Sequence, residues 1–296
     1  MTRAAALRSA LYVPGDRPDM LAKAPSRGAD ALIVDLEDAV PPAGKDRARS
    51  TVAAWLAGRK TDPAGPAVWV RVNSGERGHD DVRALLGRGV TGFFVAKAES
   101  AEDIDAVARL LADDPSAALC PVLESAAAVL AAPRIAGCPR VTRLQLGEAD
   151  LRADLGVSLG PGEPELLWAR SHVVLASAAA GLAPPMAPAG TDVHDLAALK
   201  AGTEAFKRLG FRGRTCVHPA QLPVVHEVFT PTPDELARAR DLVSRFESAH
   251  GGAMLDEGGR MVDEAVVRRA RRLLSETPVP VLDRGATEDG PSPSGA

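Results

Sequence analysis

Short apolar runs alternate along the chain with longer stretches rich in Ala, Leu and Arg. The runs at 9–13, 31–35, 67–72, 92–96, 119–123, 143–147, 183–188 and 212–217 have the length and content of buried strands. Between them, 46–57, 80–86, 101–112, 164–180 and 195–209 repeat apolar residues at helical spacing. Strands buried on both faces and separated by helices predict parallel βαβ units. Eight of them predict closure into an α/β fold, a (β/α)8 TIM barrel. The run at 183–188 is the poorest strand, because its prolines cannot donate to a ladder. A doubly wound open sheet is the alternative, but it usually has fewer strands and a Gly-rich turn after the first. The match to GxGxxG at Gly87–Gly92 precedes a strand, where the nucleotide fingerprint needs one to come first, so it reads as a helix-to-strand loop. Beyond the eighth run, 233–250 and 264–275 predict a C-terminal helical extension, interrupted by Gly251-Gly252 and Gly258-Gly259 and suited to a lid or a subunit contact. The expected organisation is a barrel over 1–225, an extension over 226–276 and a disordered Pro, Gly and Ser-rich tail over 277–296.

Composition narrows this picture. Aromatics are 3% of 296 residues, so the core is expected to be built from Ala, Val and Leu. A formal charge of -4 argues against a nucleic-acid partner. Cys120, Cys138 and Cys216 have no metal-ligand spacing, and Cys120 and Cys216 sit in apolar runs as small hydrophobes. The first residues read as neither a signal peptide nor a membrane span, so the expected location is cytoplasmic.

Catalytic groups of a barrel gather at the carboxyl ends of its strands. There the sequence places Asp35, Glu37 and Asp38, then Arg71 and Asn73, Lys97 and Glu99, Glu124, Glu148 and Asp150, and His218. So many charges at one rim need pairing. Glu124 and Asp150 follow adjacent strands, and their carboxylates suit one Mg²⁺, which takes one or two carboxylates plus water and substrate oxygens. The structural alternatives are that Glu124 pairs with Lys97 and that Asp150 caps a helix starting at Leu151. Arg71 suits a substrate carboxylate through two parallel bonds, or a salt bridge to Asp35 or Glu37. Lys97 reads as an ion-pair partner, with Glu99 close by in sequence. Asp35, Glu37 and Asp38 suit the orientation of metal-bound water or of the basic residues, and Asp38 equally a helix cap. His218 is expected to donate to a backbone carbonyl, and the other histidines to lie on the surface. No GxSxG elbow is present, so a serine hydrolase finds no support.

At these residues the chain resembles the citrate lyase β-subunit-like branch of the HpcH/HpaI aldolase superfamily. The resemblance runs through Arg8 to Gly15, Gly28-Ala29-Asp30, Asp35 to Val40, Lys45 and Arg49, Val70 to Asn73 and Lys97 to Ser100. It continues through Leu123-Glu124-Ser125, Gly147 to Leu151, Gly210 to Gly213, Val217 to Gln221 and Phe229-Thr230-Pro231. It implies a Mg²⁺-dependent barrel acting on acyl-CoA or acyl-carrier thioesters together with a small keto acid, commonly as a homotrimer. Glu124 and Asp150 match the metal ligands, and Arg71 the substrate-carboxylate arginine. Asp263 matches an aspartate that reaches a neighbouring subunit's site. The chain departs from the family pattern at Ala96, at Pro185-Met186-Ala187-Pro188 and at Ala265. The resemblance implies a carbon–carbon lyase or condensing enzyme working through an enolate, with Arg71 and Asp263 as catalytic groups and Arg71 and Glu124 at the substrate. Malyl-CoA, citramalyl-CoA or a citryl thioester would suit it. The alternatives are a class II pyruvate-type aldolase on free keto acids and a non-catalytic, partner-dependent subunit.

Overall fold

Seven parallel strands wrap around one axis: β1 (Ser9–Pro14), β2 (Ala31–Asp35), β3 (Ala67–Val72), β4 (Gly92–Val95), β5 (Ala118–Leu123), β6 (Gln145–Leu146) and β7 (Arg214–Cys216). The computed structural model describes residues 7–59, 62–249, 253–256 and 258–276; the tail expected over 277–296 lies outside them. The strand order is β6-β5-β4-β3-β2-β1-β7, held by six ladders. Gln145 bridges Met186 and Ala187 bridges Arg214, both in parallel, so the segment around Met186 fills the gap between β6 and β7. The expected strand at 183–188 is thereby reduced to two bridging residues. Pro184, Pro185 and Pro188 have no N–H to offer, and donors from neighbouring segments serve their carbonyls instead. The Arg143 guanidinium donates to Pro184 O, the Arg212 N–H to Pro185 O, and Arg214 Nε to Pro188 O.

Helices α1 (Pro18–Lys23), α2 (Lys45–Gly58), α3 (Gly75–Leu85), α4 (Ala101–Leu110), α5 (Ala126–Leu130), α6 (Ala132–Ala136), α7 (Glu148–Leu155), α8 (Leu167–Ala179), α9 (Leu196–Leu209) and α10 (Leu222–Phe229) connect and flank the strands. Strand side chains alternate with period two. Leu32 and Val34 join the large cluster under the helices, while Ala31 and Ile33 join the inner one with Trp69, Phe94, Cys120 and Met186. The inner cluster corrects the expectation of an aliphatic core. Trp69 and Phe94 meet edge to face at 5.4 Å, so scarce aromatics sit where the barrel needs volume. Burial pushes the thiols of Cys120 and Cys216 up to about 12, as befits small hydrophobes.

The chain divides into two compact units, Met1–Thr230 and Pro231–Ala296. The expected 225/226 boundary lies inside α10. In the second unit α11 (Pro233–Ser248) opens with a capping box between Thr232 and Glu235. It is followed by an antiparallel pair, β8 (Met254–Leu255) and β9 (Met261–Val262), and by α12 (Glu264–Glu276). Phe246, Val262 and Val267 form the core of this unit. Among the described residues no helix is long and apolar enough to cross a membrane.

Candidate active site

Strand ends β2 to β6 bring the predicted polar residues into one cavity of about 850 Å³, lined by Asp35, Asp38, Arg71, Glu124 and Asp150 among others. Asp35 ends β2 and organises the loop after it, accepting the backbone N–H of Glu37 (2.8 Å) and of Ala39 (3.1 Å). It also takes both faces of the Arg71 fork, at 2.8 Å to Nε and 2.6 Å to Nη2. The salt bridge anticipated as an alternative for Arg71 is therefore present, and Nη1 in turn donates to Asp38 at 3.3 Å and lies 3.2 Å from Glu37. Burial opposes the charge on Arg71, but the bonds and charge of Asp35 outweigh it and hold the guanidinium above its ordinary value.

Lys97 follows β4 with φ of 52°, a left-handed conformation that non-glycine residues seldom adopt. Its N–H donates to Glu124 Oε2 at 3.1 Å, while its ammonium donates to Glu37 Oε1 at 2.6 Å. The same ammonium lies 3.3 Å from Asp150, 3.8 Å from Asp38 and 4.0 Å from Glu124. Glu99 is not among its partners; its N–H bonds Asp103 on α4 instead. Asp38 faces Arg71 and Lys97 in place of the anticipated helix cap, and Asp150 lies in the first turn of α7, whose N-cap is Gly147.

Glu124 is 7% exposed, and burial pushes its carboxyl up to about 7, against the pull of Lys97. Room for it comes from Gly147, where a Cβ would stand 2.4 Å from Glu124 Cγ. Five carboxylates, Asp35, Glu37, Asp38, Glu124 and Asp150, thus face two cations, Arg71 and Lys97. Two oxygen-only donors already converging on one ammonium fit a hard divalent cation. Among the described residues no group of three or more His, Cys, Asp or Glu could hold a metal. The protein's share would be two carboxylates, which matches the usual Mg²⁺ pattern.

Supporting bonds come from residues with no chemistry of their own. Lys45 Nζ donates to the carbonyls of Leu36 and Glu37, and Asn73 Nδ2 to Leu36 O and to Asp81, which also holds Arg49 at 2.6 Å. His218 corrects its expectation: Nδ1 accepts the Ala220 N–H and caps the short turn Pro219–Gln221. His226, expected on the surface, is half-buried against Ser9 Oγ at 2.7 Å. The sequence reading missed Tyr12, whose ring lies 5.0 Å from the Arg71 guanidinium carbon. As the single tyrosine of an aromatic-poor chain, in a strand, it carried a usable signal. It also missed Arg170, which grips Glu148 at 2.6 and 2.7 Å and Glu163 at 2.5 Å, and Arg214. Nothing local in sequence announces these long-range pairs.

The model of the HpcH/HpaI aldolase/citrate lyase family matches residues 8–219. The chain belongs to this family. A citrate lyase subunit beta-like protein of Deinococcus radiodurans is 37% identical over 92% of this chain and 97% of its own length. A (3S)-malyl-CoA thioesterase of Cereibacter sphaeroides is 35% identical over 91% of this chain and 94% of its own. Among solved structures, the protein CitE of Mycobacterium tuberculosis, in complex with magnesium, acetoacetate and coenzyme A, superposes with a TM-score of 0.77. It is 30% identical and covers 93% of this chain and 99% of its own. The TIM-barrel expectation is met by these family members and by the curled parallel sheet of this chain. Family members are lyases or thioesterases.

Proposed function

We propose that the chain is a Mg²⁺-dependent carbon–carbon lyase, or the reverse condensing enzyme, acting on a hydroxyacyl thioester of coenzyme A or an acyl carrier. The observation that carries this reading is the excess of carboxylates over cations at one rim, with Glu124 and Asp150 drawn to a single positive point. Magnesium, acetoacetate and coenzyme A in the Mycobacterium tuberculosis protein support it. A Mg²⁺ held by Glu124 and Asp150 would supply Lewis-acid polarisation beside the reacting bond. Arg71, locked by Asp35, adds positive charge near the substrate carboxylate through Nη1. Lys97 and Glu37 keep the carboxylates converged.

In cleavage, a base takes the hydroxyl proton, the carbon–carbon bond breaks, and a keto acid and a thioester enolate separate. Asp263 of a neighbouring copy, in a homotrimer, returns a proton to the enolate carbon. In condensation, the same aspartate removes that proton and the enolate carbon attacks the keto carbon. The name of the 35% identical relative supports a second reading, hydrolysis of the thioester. Product analysis separates the two: a lyase yields an acyl-CoA with a keto acid, a thioesterase free coenzyme A with a hydroxy acid.

The test is isothermal titration with oxaloacetate, pyruvate, glyoxylate and acetyl-CoA, in Mg²⁺ and in EDTA, beside Glu124→Ala. Metal-dependent keto-acid binding that disappears in the variant is expected. Binding indifferent to metal, or unchanged in the variant, overturns the mechanism.

A further inference from the structure

Of the two cations facing the rim carboxylates, Lys97 is the one able to move. Arg71 has its fork closed on Asp35 and a side chain only 12% exposed, whereas the Lys97 side chain is 44% exposed. The Lys97 ammonium lies 2.6 Å from Glu37, 3.3 Å from Asp150 Oδ2 and 4.0 Å from Glu124 Oε2. Glu124 and Asp150 are the two carboxylates assigned above to Mg²⁺. The protein's own cation therefore stands on the donors that the metal would take. The Lys97 N–H also donates to Glu124 Oε2, at 3.1 Å. Amide and ammonium both reach Glu124 from a residue whose φ of 52° is left-handed, an outlier of the kind that clusters at functional sites.

A divalent cation and an ammonium compete for one pair of carboxylates. Both are held there by the same negative charge, and within a few ångströms they repel each other, the more so beside a buried group such as Glu124. Glu37 gives the ammonium somewhere to go. It is the nearest partner and lies outside the pair assigned to Mg²⁺, while Asp38, 3.8 Å from the ammonium, is exposed at the rim. A lysine suits such a move, because its charge is compact and rides on a flexible four-carbon stem.

We propose that the Lys97 ammonium is the resident counter-ion of this site: it holds Glu124 and Asp150 until a divalent cation displaces it toward Glu37, Asp38 and solvent, and it lowers the metal affinity by competing for the same donors. This rests on the Mg²⁺ site of the reading above and adds the residue that sets its occupancy.

The experiment titrates the full chain with Mg²⁺ at fixed ionic strength, for wild type, Lys97→Gly and Glu124→Ala. In parallel, mass spectrometry follows acetylation of each lysine by acetic anhydride, with and without Mg²⁺. Glycine removes the ammonium, takes a φ of 52° without strain and keeps the N–H that bonds Glu124. An ammonium in place about nine-tenths of the time lowers the apparent metal affinity about tenfold, so Lys97→Gly is expected to bind Mg²⁺ at least about tenfold more tightly. In wild type, Mg²⁺ is expected to speed acetylation of Lys97 several-fold and to leave that of Lys23, exposed on α1, unchanged. Loss of any nearby positive charge would also favour Mg²⁺; only displacement unmasks the amine. Binding that is equal or weaker in Lys97→Gly overturns the proposal, since Lys97 would then be a scaffold holding the carboxylates together. Acetylation of Lys97 that is unchanged or slower in Mg²⁺ overturns it too, and decides alone if Lys97→Gly fails to fold by circular dichroism. If either result comes with Mg²⁺ binding that is lost in Glu124→Ala, the metal reading stands. No Mg²⁺ binding in wild type or in Lys97→Gly sinks the metal reading and this proposal with it.

Discussion

Replacing Glu124 with Gln should make the metal-free protein more stable at alkaline pH while destroying its response to Mg²⁺. Glu124 titrates near 7 in the fold, against an ordinary value of 4.5, and burial is the main cause. Its folded pKa is raised, so the folded state holds the proton more tightly than the unfolded chain. The associated stability is fully present below about pH 4.5 and is lost as pH rises to about 7. A gap of about 2.5 pH units corresponds to about 3 kcal/mol at pH 8. Gln is nearly isosteric and carries no charge, and its carbonyl can still accept the Lys97 N–H. In EDTA, urea unfolding at pH 8 should show Glu124→Gln more stable by up to about 3 kcal/mol, with the difference falling below about 1 kcal/mol at pH 5 and to near zero by pH 4. Adding Mg²⁺ should stabilise wild type and leave the variant unmoved. A variant no more stable than wild type at pH 8, or a gain equal at both pH values, would refute the burial argument.

Three further outcomes follow from the same geometry. Gly147→Ala places a methyl 2.4 Å from Glu124 Cγ, and displacement of that carboxylate should weaken Mg²⁺ binding by about 10- to 100-fold in a calorimetric titration. Asp81 is fully buried and holds Arg49 and Asn73, so Asp81→Ala should cost about 3 to 5 kcal/mol in denaturant unfolding, although Asp81 does not line the cavity. Asp263 Oδ1 accepts the N–H groups of Ala265 and Val266 at the start of α12. Asp263→Asn should keep this cap and lose turnover, whereas Asp263→Ala should lose turnover and about 1 kcal/mol of stability as well.

Much of the barrel was legible because its strands are short, aliphatic and buried on both faces, as at 31–35, a pattern that parallel sheets share with few other structures. The rim was legible for a related reason: polar residues directly after such runs can only fall at the strand ends. What the sequence hid was pairing. Arg71 has several acids within reach, and only the fold shows that Asp35 takes its fork while Nη1 stays between Glu37 and Asp38. Arg214 reads in sequence like any other arginine after a glycine, and its lack of an acidic partner emerges only when Arg170 is seen to hold Glu148 and Glu163. The prolines at 184, 185 and 188 warned that the strand there would be weak. They did not reveal that two bridging residues would suffice, because side chains from 143 and 214 stand in for ladder donors.

That makeshift closure divides the ring into two mechanical parts. Six backbone ladders tie β6 through β7 into a continuous arc, and a stave of two residues joins its ends. An arc loses little when its ends part, since the staves keep their other neighbours. The order of opening is therefore written into the backbone: amides at 186, 187 and 215 should exchange with solvent before those of β2 and β3.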